Sequence, residues 1–413
     1  MSTVNRRRFL AGGLTALGGA AVGATAGPAL ADDTAPKVIN PAIPVADQKY
    51  PFEGSHQSGI ITPAQGYAAM VAFDLTAGSP AELKQLLQTI TDRSRELIGA
   101  QEMVSTGIAN TPPDSGLLGA TPVSDGLTVT LGLGSGAFDK RFGLSSLKPR
   151  RLRPMDTFAN DHLNPGECDG DLLLQIGADH ADSVLRALRD ITRHTRGGMQ
   201  IRWRIDGFSN VPRPSGAPRN LMGFKDGTAN PDVSDSKLMD QLVWVQPNAG
   251  EPAWATGGSY HVVRIIRMLV EFWDRVGISE QERMFGRRKD TGAPLSGTLE
   301  TDLPDYSDDA NGGSTPLDSH IRVANPRTAA TEKNRILRRG FNYDRGVDGN
   351  GNLDMGLIFS CFQQDLDRQF VTVQKRLADE PLVDYIQPTG GGYFFAVPGV
   401  SGKSDYFGSG LFV

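Results

Sequence analysis

Apolar and amphipathic stretches alternate along the first half of the chain, beyond about residue 60. A nearly continuous apolar run predicts a β-strand over Tyr67–Leu75. Ser79 and Pro80 then supply a helix N-cap and a proline for the first helical position, and apolar residues at helical spacing predict a helix over 81–97. The same patterns predict further strands over 127–132, 171–176 and 199–205, and a helix over 181–195.

The second half repeats this scheme. Its patterns predict strands over 260–269 and 356–361, each followed by a helical stretch, over 270–276 and 365–377. The strand–helix pair that begins at Asp171 resembles the pair that begins at Gly356, which indicates two similar α+β units.

Two long stretches of the chain lack the apolar patterns of strands and helices. Residues 207–250 and 287–316 are rich in Gly, Pro, Asn and Asp, and both are predicted to be loops. The acidic residues of the later stretch do not follow the order of a calcium-binding loop, so a solvated loop is predicted there.

The first 31 residues have the three parts of an export signal. Arg6 and Arg7 stand before Phe9-Leu10, a mild apolar stretch follows, and Ala29-Leu30-Ala31 matches a cleavage site. The paired arginines indicate the twin-arginine route, which carries proteins already folded and favours a cofactor protein. Residues 32–52 are predicted to be an extended lead-in, and no later apolar run is long enough to span a membrane.

Charge and cysteine content narrow the classes of function. The net charge of −5 over 413 residues argues against a nucleic-acid partner, because phosphates are bound by basic surfaces. Neither Cys168 nor Cys361 belongs to a CxxC pair, which excludes a zinc ribbon and covalent CxxCH attachment of haem. One disulfide and two separate thiols both stay open.

Three short segments carry candidate chemistry. Residues 223–230 (GFKDGTAN) surround a single aspartate with glycines, which alone would indicate a turn. Residues 319–327 place His320 near Arg322 and Arg327, and arginines suit the carboxylates of an anionic cofactor. Residues 335–341 place arginines beside apolar residues, as in a surface strand or as in a pocket cation that stabilises negative charge.

Together the three segments resemble the dye-decolourising peroxidase family. Gly223–Gly227 is similar to the family's GxxDG signature. Asp226 precedes His320 by 94 positions, and His320 precedes Arg338 by 18, spacings similar to those of the deferrochelatase/peroxidase branch of the Efe iron-uptake system. Segments at both ends of the mature chain, including 51–60 and 390–395, also resemble that branch.

The resemblance implies a fold and a cofactor. It implies two ferredoxin-like α+β units with antiparallel sheets, over residues 53–215 and 216–413, and one haem b bound in the second unit. His320 matches the proximal iron ligand of the family. A ligating histidine usually donates its other N–H to an acid or a carbonyl group, and Asp384 is the candidate acid.

The resemblance also implies the catalytic residues. Asp226 and Arg338 match the residues on the other face of the haem, as a proton relay and a stabiliser of negative charge. Arg339 is adjacent to Arg338, and only one of the two can face the haem. The remaining haem contacts carried over from the family are Gly227, Thr228, Ala229, Asn325, Pro326, Arg327 and Arg338.

Three functions that use haem stay open on the sequence, beside a haem-free ferredoxin-like binding protein, which a Soret band of the purified protein would exclude. The first is a peroxidase that reduces hydrogen peroxide and oxidises one-electron donors, such as dyes or porphyrins. The second is a deferrochelatase that releases iron from haem and leaves the porphyrin intact. The third is a non-enzymatic, exported haem-binding accessory of iron uptake, which would need His320 but not Asp226 or Arg338. A homodimer and other iron-uptake components are the partners implied, in the periplasm or outside the cell.

Overall fold

The computed structural model describes residues 47–101 and 106–413, which belong to one compact unit. The predicted signal over 1–31 and most of the lead-in lie outside the described residues. Within the described part, no helix is both long and apolar enough to cross a membrane.

The described residues of the first half form four strands and two long helices. Ser79 caps the first helix by accepting a hydrogen bond from the backbone N–H of Glu82, as its position before Pro80 predicted. In chain order the elements are β1 (Tyr67–Leu75), α1 (Pro80–Gly99), β2 (Thr128–Gly134), β3 (Leu172–Ala178), α2 (Ala181–His194) and β4 (Met199–Phe208).

The second half contains five strands and shorter helices. A π-helix (Asp367–Val371) and a 3₁₀ turn (Pro381–Asp384) flank its last α-helix. In chain order the other elements are α3 (Ser236–Leu242), β5 (Ser259–Met268), α4 (Val270–Trp273), α5 (Ile278–Phe285), α6 (His320–Ala324), β6 (Leu337–Arg338), β7 (Phe341–Val347), β8 (Leu353–Gln363), α7 (Thr372–Arg376) and β9 (Ile386–Ala396).

The two halves share one strand order. The first half runs β2-β3-β1-β4 and the second runs β7-β8-β5-β9, and every pairing is antiparallel. Among the described strands, the two-residue strand β6 pairs only with β8. Without it, the first strand of each half lies between the third and the fourth, which is the ferredoxin-like order. The halves join through β2–β9 and β4–β7. This topology confirms the predicted duplicated α+β fold.

Several details differ from the sequence prediction. Helix α3 lies inside the predicted loop 207–250, where the Asp235 carboxylate accepts a hydrogen bond from the N–H of Leu238 and starts the helix. The helix predicted over 365–377 is divided between the π-helix, α7 and another 3₁₀ turn, Leu377–Asp379. Cys168 and Cys361 are both free and buried, so the disulfide alternative is wrong.

The nine described strands form one continuous sheet, whose two halves are called the first and the second sheet below. Each of them uses its two faces differently. One face of the first sheet packs against α1 and α2, which bury Leu87 and Leu188. Between the two sheets lies a second apolar cluster that includes Trp203, Ile265 and Ile358. The other face of the second sheet carries the pocket described next.

Candidate active site

A deep pocket covers one face of β5, β8 and β9. Its apolar floor consists of alternate residues on these strands: Ile266, Met268, Leu357, Phe359 and Ile386. Residues i and i+2 of a strand share a face, so the intervening Ile265 and Ile358 pack between the sheets instead. Side chains from α6, α7, the π-helix and the loop 287–316 complete the walls.

His320 begins α6 and lines this pocket. Its Nδ1 lies 2.7 Å from Oε2 of Glu380, a carboxylate that is almost completely buried. Burial lowers the pKa of His320, but the charge and the hydrogen bond of Glu380 outweigh burial and raise it above its ordinary value. Since Nδ1 is occupied, Nε2 is the nitrogen left for a metal.

The predicted partner of His320 was wrong. Asp384 is exposed at the end of the 3₁₀ turn, whereas Glu380 lies just before that turn and points to the histidine. The sequence has three acids close together here, Asp379, Glu380 and Asp384. Nothing in their spacing identifies the buried one, because the turn that separates them was not predicted.

Asp226 and Arg338 meet in the same pocket. Nη1 of Arg338 donates to Oδ1 of Asp226 over 2.8 Å, and each side chain is about a quarter exposed. Arg339 points elsewhere, since its guanidinium donates to the carbonyl oxygens of Thr62 and Pro63. The structure therefore places Arg338, and not its neighbour, beside Asp226.

Asn230 fixes the two segments to each other, and the sequence analysis missed this role. Its Nδ2 donates to the carbonyl oxygen of Arg338 over 2.8 Å, and its Oδ1 accepts from the N–H of Arg338 over 3.1 Å. The side chain thus binds the backbone of β6 as a neighbouring strand would. It lies in the same GFKDGTAN segment as Asp226, which was the only available signal.

Most of the other predicted contacts also line the pocket. Gly227 has a φ of 107°, a conformation that favours glycine. Pro326 is the exception, because its two neighbours line the pocket and it does not. The predicted contacts that line the walls are Gly227, Thr228, Ala229, Asn325, Arg327 and Arg338.

The loop 287–316 forms part of the pocket wall and is not merely solvated. Arg287 and Pro304 line the pocket, and Arg287 is buried. Burial lowers the pKa of Arg287, and the nearby charges of Arg327 and Arg338 lower it further. Among the described residues, no group of three or more acids, histidines or cysteines is placed to hold a metal ion, in this loop or elsewhere.

The chemistry of the pocket fits haem. Nε of Arg327 and Oδ1 of Asn160 are buried there without a hydrogen-bond partner among the described residues. Within the part of the chain that the structure describes, Arg287 donates only to backbone carbonyl oxygens, and neither Arg287 nor Arg327 forms an ion pair with a carboxylate. A flat apolar group that carries its own carboxylates would satisfy both the floor and these cations, and His320 is available to ligate its iron.

Fold and pocket together define a duplicated ferredoxin-like protein with a histidine-bearing haem pocket. Sequence profiles of the Dyp-type peroxidase family match the chain, with the N-terminal domain over residues 57–209 and the C-terminal domain over residues 217–401. The chain belongs to the Dyp-type peroxidase family, whose members are haem enzymes.

Individual relatives agree with this assignment. The Deferrochelatase of Escherichia coli K12 is 49% identical over 383 residues, which cover 92% of this chain and 90% of the relative. The DyP-type peroxidase of Cellulomonas bogoriensis is 36% identical, with a TM-score of 0.79, and the match covers 89% of this chain and 99% of that chain. Ferric DtpA from Streptomyces lividans is 35% identical, with a TM-score of 0.80, over 90% of this chain and 99% of that one.

Proposed function

We propose that this chain is a haem b peroxidase that reduces hydrogen peroxide and oxidises one-electron donors, dye-like molecules or porphyrins. One observation carries the proposal. The Asp226–Arg338 pair, a potential proton acceptor beside a fixed cation, shares one pocket with the His320–Glu380 pair. A protein that only carries haem has no need of the first pair.

His320 and Glu380 would hold the cofactor. When bound, haem b supplies a redox-active iron that takes two oxidising equivalents from peroxide and passes them on one electron at a time. Glu380 keeps Nδ1 of His320 hydrogen-bonded, which fixes the ring orientation and leaves Nε2 as the ligand atom. The negative charge of Glu380 also makes the imidazole a stronger electron donor.

Asp226 and Arg338 would act on peroxide. An ionised Asp226 can accept a proton from one peroxide oxygen and deliver it to the oxygen that leaves as water. Arg338 stabilises the negative charge that develops while the O–O bond breaks, since a guanidinium is charged at every working pH. The hydrogen bond between the two side chains, 2.8 Å long, keeps both groups oriented before peroxide arrives.

Replacing Arg338 by leucine tests the proposal. We expect Arg338→Leu to keep haem, seen as a Soret band, and to lose peroxide-driven dye oxidation by about a hundredfold to a thousandfold, as when one charge-stabilising donor is removed. Arg345→Leu is the matched control, because Arg345 is equally exposed, has one carboxylate partner, Glu167, and lies outside the pocket. Unchanged turnover in Arg338→Leu would contradict the proposed mechanism.

A second candidate, release of iron from haem with the porphyrin intact, is favoured by the name of the relatives. Proteins called Deferrochelatase are 48–49% identical to this chain over nearly its whole length. Incubating the holoprotein with an iron chelator, with and without peroxide, separates the two activities. Porphyrin formed without peroxide supports the second candidate, and dye oxidation that requires peroxide supports the first.

The proposal extends to the location of the protein. The arginine pair, the apolar stretch and the A-x-A site of residues 1–31 support export by the twin-arginine route, already folded and carrying haem, to the periplasm or the cell exterior. Fractionation of cells that express the full chain tests this. A role beside other iron-uptake components and a homodimer belong to the same proposal.

A further inference from the structure

Glu300 lies in the loop 287–316 and is largely buried, with 14% of its side chain exposed. Its two oxygens accept three hydrogen bonds from a single short stretch of chain. Oε1 accepts from the N–H of Ala217 over 2.8 Å and from Oγ1 of Thr228 over 2.9 Å, and Oε2 accepts from Nζ of Lys225. Burial raises the pKa of Glu300, but these hydrogen bonds outweigh burial and hold it below its ordinary value.

These contacts surround Asp226 in the sequence. Lys225 precedes Asp226, Thr228 follows it by two positions, and the N–H of Asp226 donates to the carbonyl oxygen of Pro218, next to Ala217. Glu300 therefore binds the turn on both sides of Asp226 without touching the aspartate. Nζ of Lys225 makes a further bond to the carbonyl oxygen of Ser215, 2.7 Å away, which closes the same turn.

The loop that supplies Glu300 is itself held in place. Nη1 of the buried Arg287 donates to the carbonyl oxygens of Gly292 and of Glu300, over 2.6 and 3.1 Å. The backbone at Glu300 is thus fixed to the start of the loop. The hydrogen bonds of the Glu300 carboxylate in turn hold the turn that carries Asp226 in a fixed position relative to the loop.

We propose that Glu300 is a positioning residue for Asp226, and that the loop 287–316 sets the geometry of the peroxide-reacting pair through its carboxylate. This inference rests on the proposed function for its kinetic consequence alone. Its structural consequence, an ordered turn over residues 217–228, holds in the haem-free protein too.

The chain provides a closely matched control in Glu251. This carboxylate also accepts from a backbone N–H (Arg150, 2.7 Å), from a hydroxyl group (Tyr260, 2.7 Å) and from a cation (Arg151, 2.9 Å). Its side chain is 2% exposed, and it does not line the pocket. A loss of stability alone should therefore affect Glu251→Gln at least as much as Glu300→Gln.

The first experiment measures hydrogen–deuterium exchange in the haem-free protein. We expect Glu300→Gln to speed exchange in peptides spanning residues 217–230 by at least about tenfold, while Glu251→Gln leaves those peptides unchanged. The glutamine can still accept from Ala217 and Thr228, so the change reports the lost ion pair with Lys225. Exchange over 217–230 that is equal in the wild type and in Glu300→Gln overturns the proposal, whether or not the protein is a peroxidase.

The second experiment measures the pH profile of kcat/KM for hydrogen peroxide in the haem-loaded protein. Misplacing a catalytic group by about 1 Å can cost up to about a hundredfold, so we expect Glu300→Gln to lower kcat/KM by tenfold or more. The KM for the dye should change by less than about twofold. A pH profile and a kcat/KM equal to those of Glu251→Gln would overturn the positioning role.

The direction of the pH shift provides a sign test. The charged and titratable groups that line the pocket with Asp226 are Lys225, Arg264, Arg287, His320, Arg327, Arg335, Arg338 and Glu380. Arg219, Lys289 and Glu300 pack against the turn that carries Asp226. Without the Glu300 carboxylate, the Lys225 ammonium has no carboxylate partner and stabilises the ionised form of Asp226. The acid limb of the kcat/KM profile should therefore move to lower pH. Lys225→Met should move this limb to higher pH, and the double variant should lie between the two. Shifts of the same sign in both single variants would contradict the proposal.

Discussion

The two halves of the molecule have the same strand order, yet they cover the free face of their sheets differently. In the first half, α1 and α2 are 20 and 14 residues long and bury continuous apolar stripes. In the second half, α4 to α7 are only four to eight residues long and the loop 287–316 replaces regular structure. These short elements enclose the pocket and do not fill it.

This difference indicates how a bound cofactor would contribute to the core of the second half. Leu87 of α1 completes the core of the first half, whereas the floor residues of the second half, such as Leu357, face the pocket. When a flat apolar ligand covers apolar surface that has no partner in the protein, the free energy falls and the folded state is stabilised. Haem would therefore complete the core of the second half as the two long helices complete the first.

The largest effect that tests this comparison is on stability. We expect Leu87→Ala to lower the free energy of unfolding of the haem-free protein by about 2–5 kcal/mol, because it leaves a cavity in a packed core. Leu357→Ala should cost less than about 1.5 kcal/mol, since its side chain already borders the pocket. Urea unfolding measures both losses of unfolding free energy. Bound haem should increase the loss that Leu357→Ala causes. Equal costs in the haem-free protein would contradict the comparison.

The next effect concerns the pocket half alone. We expect Glu380→Gln to lower haem affinity or peroxide kcat/KM about tenfold to a hundredfold, because it removes the acid that orients the histidine ligand. Asp384→Asn, four positions on and exposed, is the control and should change neither. Spectroscopic haem titration measures the affinity. A larger effect at Asp384 than at Glu380 would show that the histidine partner is misassigned.

The same contrast explains how much of the fold the sequence could predict. Strand β1 has the predicted bounds, and α1 and α2 match within two residues, because continuous apolar runs and caps such as Ser79 are local signals. Strand β9 was not predicted from its pattern, since Pro388 and three glycines, Gly390–Gly392, interrupt it. The π-helix also escaped prediction, because its hydrogen bonding depends on packing around the pocket.

Some residues of the candidate site could also be predicted from the sequence, and others could not. The resemblance in spacing predicted that His320, Asp226 and Arg338 act together, and the structure places all three in one pocket. Glu380 and Glu300 escaped because each acts through a contact with a residue 60 or more positions away. Such contacts leave no periodicity in the sequence. An acidic residue in a polar loop looks the same whether it is solvated or buried against a lysine.

The smallest effect belongs to the first half, at the start of α2. The carboxylate of Asp125 accepts from the N–H of His180 (3.1 Å) and from Oγ of Ser183 (2.5 Å), and it lies 2.7 Å from Nδ1 of His180. The hydrogen bond with Asp125 raises the pKa of His180 above its ordinary value of 6.5. The extra stabilisation that the positive charge of His180 adds to this bond is present only while the imidazole is protonated.

The sign of the resulting pH dependence follows from linkage. A histidine whose pKa is raised on folding contributes its full stabilisation below the unfolded pKa, near 6.5, and loses it as the pH rises through the folded pKa. Because the side chain is 54% exposed, the contribution should be below about 1 kcal/mol. We expect the difference in unfolding free energy between wild type and His180→Gln, measured in urea on the haem-free protein, to shrink between pH 6 and pH 8.5. A difference that stays constant or grows over this range would show that the cap works through the backbone and Ser183 alone, independently of the histidine charge.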